Sequence, residues 1–190
     1  MLYMGRNDLK IIAIVGMPGS GKSVAADFFR RKNIPVLRFG DEVDFGLKEN
    51  KLPQTPDNER WYREKLRADL GMAAMAIKIE PRIQEEAARD HGTIVLDGLY
   101  SWEEYIYLRK KIPFIKLLCI YAPPPVRYQR LAVRPIRPLT EDEAKIRDVA
   151  ELEKLNKGGP IAIADYLIKN EGTAKDFERE LENFCRTNLL

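Results

Sequence analysis

The densest chemistry in this sequence lies in one run of eight residues, Gly16-Met17-Pro18-Gly19-Ser20-Gly21-Lys22-Ser23. It meets the spacing G-x-x-x-x-G-K-[ST] in full. Gly16, Gly19 and Gly21 let the backbone turn tightly and bring successive N–H groups close to an anion, with Pro18 and Ser20 completing the loop. Lys22 supplies a point charge for the β- and γ-phosphates, and the Ser23 hydroxyl is a ligand for Mg²⁺. Residue types and spacing therefore point to a loop that grips the polyphosphate end of a nucleotide such as ATP, with Mg²⁺.

Other charged residues fall where they could serve that loop. Asp97 closes the apolar run TIVLD, a position suited to an acidic group that holds Mg²⁺ directly or through water. Asp41 follows the run IPVLRFG. It is a general base if the phosphoryl acceptor is an alcohol, and a positioning group if the acceptor is a phosphate. Arg60, Arg63 and Arg67 are spaced to share one helical face, which makes Arg63 and Arg67 candidates for an acceptor's anionic group. Arg127, Arg130, Arg134 and Arg137 follow one another at spacings of three, four and three, and Arg147 comes next. Guanidinium groups on a mobile insert can close over a nucleotide and stabilise charge on the transferring group, a role assigned chiefly to Arg130 and Arg134.

Stepping these residues back onto elements requires an alternation of strands and helices. Short β-branched runs over 9–15, 34–39, 93–98, 114–122 and 165–170 read as five strands. Residues 22–32 read as a helix. The stretch 42–92 is mostly helical, with Thr55-Pro56 as an N-terminal signal and with Gly71 and Pro81 expected to break it into shorter helices. Ser101 with Glu104, and Thr140 with Glu143, have the spacing of capping boxes. Residues 126–133 form a short helix, the helix from Thr140 runs to about Gly158-Gly159, and residues 172–185 form a final amphipathic helix. Strand–helix alternation implies an α/β fold with a parallel sheet covered on both faces, and ligands at the carboxyl ends of the strands. Gly16, Asp41 and Asp97 all fall at such ends.

Composition narrows the class. The chain has 190 residues, 45% hydrophobic and 32% charged, with a formal net charge of +3. That charge suits anion handling and is too weak to argue for nucleic acid. No run approaches a membrane span, and no leader-like run is expected at the N-terminus. Cys119 and Cys185 lack metal-ligand spacing and read as reduced, packed residues of a cytoplasmic protein. His91 is the one histidine, so neither a histidine triad nor a zinc constellation is available.

The motifs GMPGSGKS, FGDE, LDGLYSWEE, RYQRLAVR and ADYLIKNEGT together resemble the P-loop nucleotide and nucleoside kinases, in particular adenylate kinase and a kinase-like branch similar to dephospho-CoA kinase. The resemblance covers nearly the whole chain. It implies a three-layer α/β/α fold with a five-stranded parallel sheet in the order 2-3-1-4-5. It also implies one domain over 1–190, with a core of 9–41, 92–132 and 160–190, an acceptor-binding insert at 42–91 and a lid at 133–159. By position, Arg130 would stack on the adenine, with Asn170 and Gly172 beside the base. Arg134 and Arg147 would reach the phosphates, and Asp41 would contact the acceptor. Two arginines that adenylate kinases carry, after the Gly-Asp of strand two and the Asp-Gly of strand three, are replaced here by EVDFG and by Leu99-Tyr100-Ser101. The expected activity is ATP- and Mg²⁺-dependent phosphoryl transfer to a nucleotide-like small molecule by a monomer or homodimer. The competing expectation is a regulatory ATPase that works through a partner. A nucleic-acid-linked ATPase is disfavoured by the modest net charge.

Overall fold

The computed structural model describes residues 8–89 and 91–189. The first seven residues, where no leader-like run is expected, lie outside that range. In chain order the elements are β1 (Lys10–Val15), α1 (Lys22–Arg31), β2 (Val36–Arg38), α2 (Asp41–Glu49), α3 (Pro56–Leu70), α4 (Ala74–Ala87), β3 (Thr93–Asp97), α5 (Trp102–Lys111), β4 (Lys116–Tyr121), α6 (Pro124–Val133), α7 (Glu141–Leu155), α8 (Gly158–Ala162), β5 (Tyr166–Lys169) and α9 (Ala174–Asn188).

The five strands form one sheet in the order β2-β3-β1-β4-β5, and every pairing is parallel. Side chains alternate across a strand, so β1 feeds two cores. Ile11, Ala13 and Val15 face one cluster, which also takes Val43 and Leu47 of α2, Ile79 and Ile83 of α4 and Leu108 of α5. Ile12 and Ile14 face the other, built with Phe28 and Phe29 of α1 and Phe177, Leu181 and Phe184 of α9. A sheet buried on both sides has no polar face, which is why its strands read as unbroken apolar runs.

The capping boxes at Ser101/Glu104 and Thr140/Glu143 are both formed, and Thr55 caps α3 with Pro56 in the first turn. Two expectations are corrected. Pro81 does not break a helix; it lies inside α4. Its ring is exposed, whereas Ile79 and Ile83 on the opposite face are fully buried. Core packing outweighs a backbone penalty of about 3 kcal/mol. The helix from Thr140 ends earlier than Gly158-Gly159: α7 stops at Leu155, Asn156 takes a left-handed conformation (φ 48°), and Gly158–Ala162 forms the separate α8. In addition, α6 starts at Pro124, two residues before the expected Val126, because proline fits the first helical turn.

Candidate functional site

The parallel sheet brings the ends of β1, β3 and β4 to one edge, where the Gly16–Ser23 loop crosses. Ile14 pairs with Asp97, and Arg38 pairs with Asp97 from the other side. The loop needs glycine for steric reasons. Gly16 has φ 143° and a Cβ there would meet the Ile120 carbonyl oxygen at 2.4 Å. Gly21 has φ 105° and a Cβ would meet the Asn170 Nδ2 at 2.2 Å. No side chain caps the N-terminus of α1, so its first-turn N–H groups remain available to an anion.

A cavity of about 470 Å³ opens over this loop. It is lined by Pro18, Gly19, Gly21, Lys22 and Ser23 from the loop, Asp97 from β3, Arg130 from α6, Arg134 just after α6, and Arg147 from α7. Nine of the residues singled out in the sequence therefore share one wall. Within it, Lys22 Nζ donates to the carbonyls of Gly16 at 2.8 Å and Met17 at 3.0 Å. Burial, reinforced by the charge of Lys157, pushes the Lys22 pKa down to about 7. Burial also raises the Asp97 pKa, with Lys22 pulling the other way. Arg130 and Arg134 are both depressed by burial. Two buried polar atoms at this edge lack a hydrogen-bond partner, Ser20 Oγ and Arg130 Nη1. Depressed cations and an unpartnered guanidinium nitrogen describe a site that is electrostatically incomplete without an anion.

The fit to a metal can be judged from the donors. Among the described residues there is no group of three or more His, Cys, Asp or Glu that could cage an ion. Ser23 and Asp97 offer a hydroxyl and a carboxylate on one cavity wall. Mg²⁺ suits so sparse a set, because it keeps several waters and takes its remaining oxygens from phosphates.

Other singled-out residues lie elsewhere. Gly16 and Ser20 are buried under the loop. Asn170 stands behind it: its Nδ2 donates to the Ser20 carbonyl at 2.8 Å and its Oδ1 accepts from Arg130 Nη2 at 3.2 Å. Gly172 is exposed beside a separate hollow with Leu167, Lys169, Glu171 and Glu180. Asp41 does not line the cavity. It begins α2 and takes Arg38 Nη1 at 3.4 Å and Arg82 Nη2 at 3.2 Å, so Arg38 connects it to the cavity wall. Arg63 is engaged with Glu59 at 3.5 Å. Arg67 is half-buried, and its charge is felt by the buried Glu104.

The arginine series after β4 divides. Arg137 pairs with Glu59 of α3 at 3.3 Å. Arg127 is 4% exposed and fixed. It donates to the Pro18 carbonyl at 2.9 Å and to both carboxylate oxygens of Asp148, at 2.9 and 2.5 Å. One buried guanidinium therefore ties the loop to α7. Sequence reasoning missed Arg38 and Tyr100, which line the cavity. It also missed the buried charges Asp148 and Glu151 of α7 and Lys157 in the turn after it. Arg38 is the last residue of β2, and that strand-end position was its available signal.

A UPF0200 protein of Pyrococcus abyssi is 37% identical over 183 residues, which cover 94% of this chain and 97% of that protein. The chain belongs to the UPF0200 family. The family profile described as AAA domain also matches residues 12–156, from inside β1 to the residue after α7. Two solved structures share the fold of this UPF0200 chain. TT1252 from Thermus thermophilus has a TM-score of 0.67 at 20% identity, covering 94% of this chain and 97% of that one. Dephospho-CoA kinase from Campylobacter jejuni has a TM-score of 0.60 at 16% identity, covering 94% and 96%. At such identities the likeness is one of fold: a P-loop kinase-like sheet in the order 2-3-1-4-5. No helix among the described residues is long and apolar enough to cross a membrane.

Proposed function

We propose that the chain catalyses ATP- and Mg²⁺-dependent phosphoryl transfer to a nucleotide-like small molecule. The observation that carries the reading is one cavity in which Lys22, Ser23 and Asp97 face Arg130, Arg134 and Arg147. Backbone N–H groups of the loop and the start of α1 would hold the phosphate oxygens. Lys22 would exchange the Gly16 and Met17 carbonyls for those oxygens and recover its full charge. Ser23 and Asp97 would hold Mg²⁺, which offsets phosphate charge when bound. Arg134 and Arg147 would stabilise negative charge on the transferring group, and the lid would keep water out. Arg130, braced by Asn170, would face the base side of the nucleotide.

Asp41, reached through Arg38, would face the acceptor, with Arg63 and Arg67 available for an anionic group on it. The likeness of fold to dephospho-CoA kinase supports this reading. The second reading, a regulatory ATPase acting through a partner, draws on the acceptor side. There Arg38, Arg63, Arg82 and Arg137 are each engaged with a carboxylate of Asp41, Glu42, Asp44 or Glu59.

The test is mass-spectrometric identification of products after incubation with ATP, Mg²⁺ and a metabolite mixture. A new phosphorylated species that requires Lys22 supports the kinase reading. Release of inorganic phosphate alone, whatever metabolites are present, supports the regulatory reading instead. Once an acceptor is known, Asp41→Asn separates the two roles of Asp41. A base loses kcat by about 10²-fold or more, whereas a positioning group chiefly raises the acceptor KM.

A further inference from the structure

Two buried charges, Glu151 and Lys157, and the exposed Arg147 form a chain that ends at the phosphate cavity. Glu151 is 8% exposed and Lys157 is 2% exposed. One Glu151 carboxylate oxygen accepts from Arg147 Nε at 3.0 Å, and the other accepts from Lys157 Nζ. Arg147 lines the cavity. Lys157 does not, but its Nζ stands 4.6 Å from the centre of the Tyr100 ring, which does. Lys157 is also held from the opposite side. Its neighbour Asn156 donates through Nδ2 to Glu103 Oε1 of α5 at 2.8 Å, and Gly159 packs against Trp102. Arg147 thus rides on the lid helix, whereas Lys157 is anchored to the body.

We infer that Lys157 is a positioning residue that acts through Arg147: by neutralising Glu151 it lets Arg147 exchange that carboxylate for the nucleotide's phosphate. The reasoning is competitive. A buried carboxylate that keeps one cation can release another. Without Lys157, departure of Arg147 would strand an unpaired buried charge, so Glu151 would retain Arg147 and withhold it from the phosphate. This inference rests on the proposed nucleotide site.

The experiment is isothermal titration of MgATP into the wild type and into K157M, K157R, R147A, K157M/E151Q and R147A/K157M, with melting curves on each. Expected results are a weakening of about tenfold in K157M, and recovery to within about threefold of wild type in K157M/E151Q and in K157R. In the R147A background, K157M should add nothing, since its effect runs through that arginine. A K157M that folds and binds like wild type overturns the inference. So does a K157M loss as large in R147A as in wild type, or a double variant that melts normally and does not recover. Should K157M fail to fold, K157R and K157M/E151Q carry the comparison, because both avoid an unpaired carboxylate. Absence of MgATP binding by the wild type would overturn the nucleotide site and this inference together, whereas normal wild-type binding with any of the other outcomes isolates the inference.

Discussion

Lys22 should take up a proton when a nucleotide binds. Without an anion its Nζ is enclosed by the loop and satisfied by two carbonyls. Burial and the nearby charge of Lys157 hold its pKa at about 7 rather than 10.5. A triphosphate placed against Nζ favours the charged form and returns the pKa towards its ordinary value. At pH 8 a group with pKa 7 is about 90% neutral, so binding MgATP should draw about 0.9 proton from the buffer, falling to about 0.5 at pH 7 and 0.1 at pH 6. By the same linkage, Kd should rise about tenfold between pH 6 and pH 8. The assay is calorimetry at pH 8 in buffers of different ionisation enthalpy, where the dependence of the observed heat on that enthalpy gives the proton number. Asp97 cannot mimic the signal. A cation beside its carboxylate favours the ionised form, so any proton change there is release, the opposite sign. Binding at pH 8 with no net uptake, or with net release, would refute the claim that the loop holds a largely neutral lysine when empty.

Two further perturbations test the framework around the loop. Arg127→Met should destabilise the fold by about 3–5 kcal/mol in urea denaturation, because it leaves Asp148 buried without its cation. An R127M/D148N variant should regain most of that loss. Glu104 is 1% exposed and burial lifts its pKa to about 7. Its folded carboxyl therefore titrates above the unfolded one. The contribution to stability is full below about pH 4.5 and fades as pH rises through about 7, by about 3 kcal/mol at most. The difference in urea midpoint between wild type and Glu104→Gln should track that window, and a pH-independent difference would show that the carboxyl ionises normally.

The loop side of the cavity was legible because its chemistry is local. Eight consecutive residues set the turn, the lysine and the hydroxyl, and strand ends place Asp97 beside them, since a parallel sheet brings its carboxyl ends together. The sheet order was likewise carried by the run of motifs, and no strand bound differed by more than two residues. What sequence spacing did not convey is which arginine faces which charge. Arg127, Arg130, Arg134 and Arg137 look alike in a spacing of three and four. Yet Arg127 is swallowed by Asp148 and the loop, Arg137 reaches across to Glu59, and only Arg130 and Arg134 of the four line the cavity. Spacing fixes a helix face, and the partner comes from residues far along the chain. The same holds for Lys157, an ordinary surface lysine by sequence. It is buried because Asn156 turns the backbone left-handed and delivers it against Glu151 and Tyr100. Charges that tertiary packing buries are the ones a linear reading places worst. Here the buried charges join α7 to the loop through Arg127 and Asp148, and to the turn before α8 through Glu151 and Lys157. Any movement of α7 away from the loop must therefore work against the buried Arg127–Asp148 pair, while the Glu151–Lys157 pair fixes the turn that follows the helix.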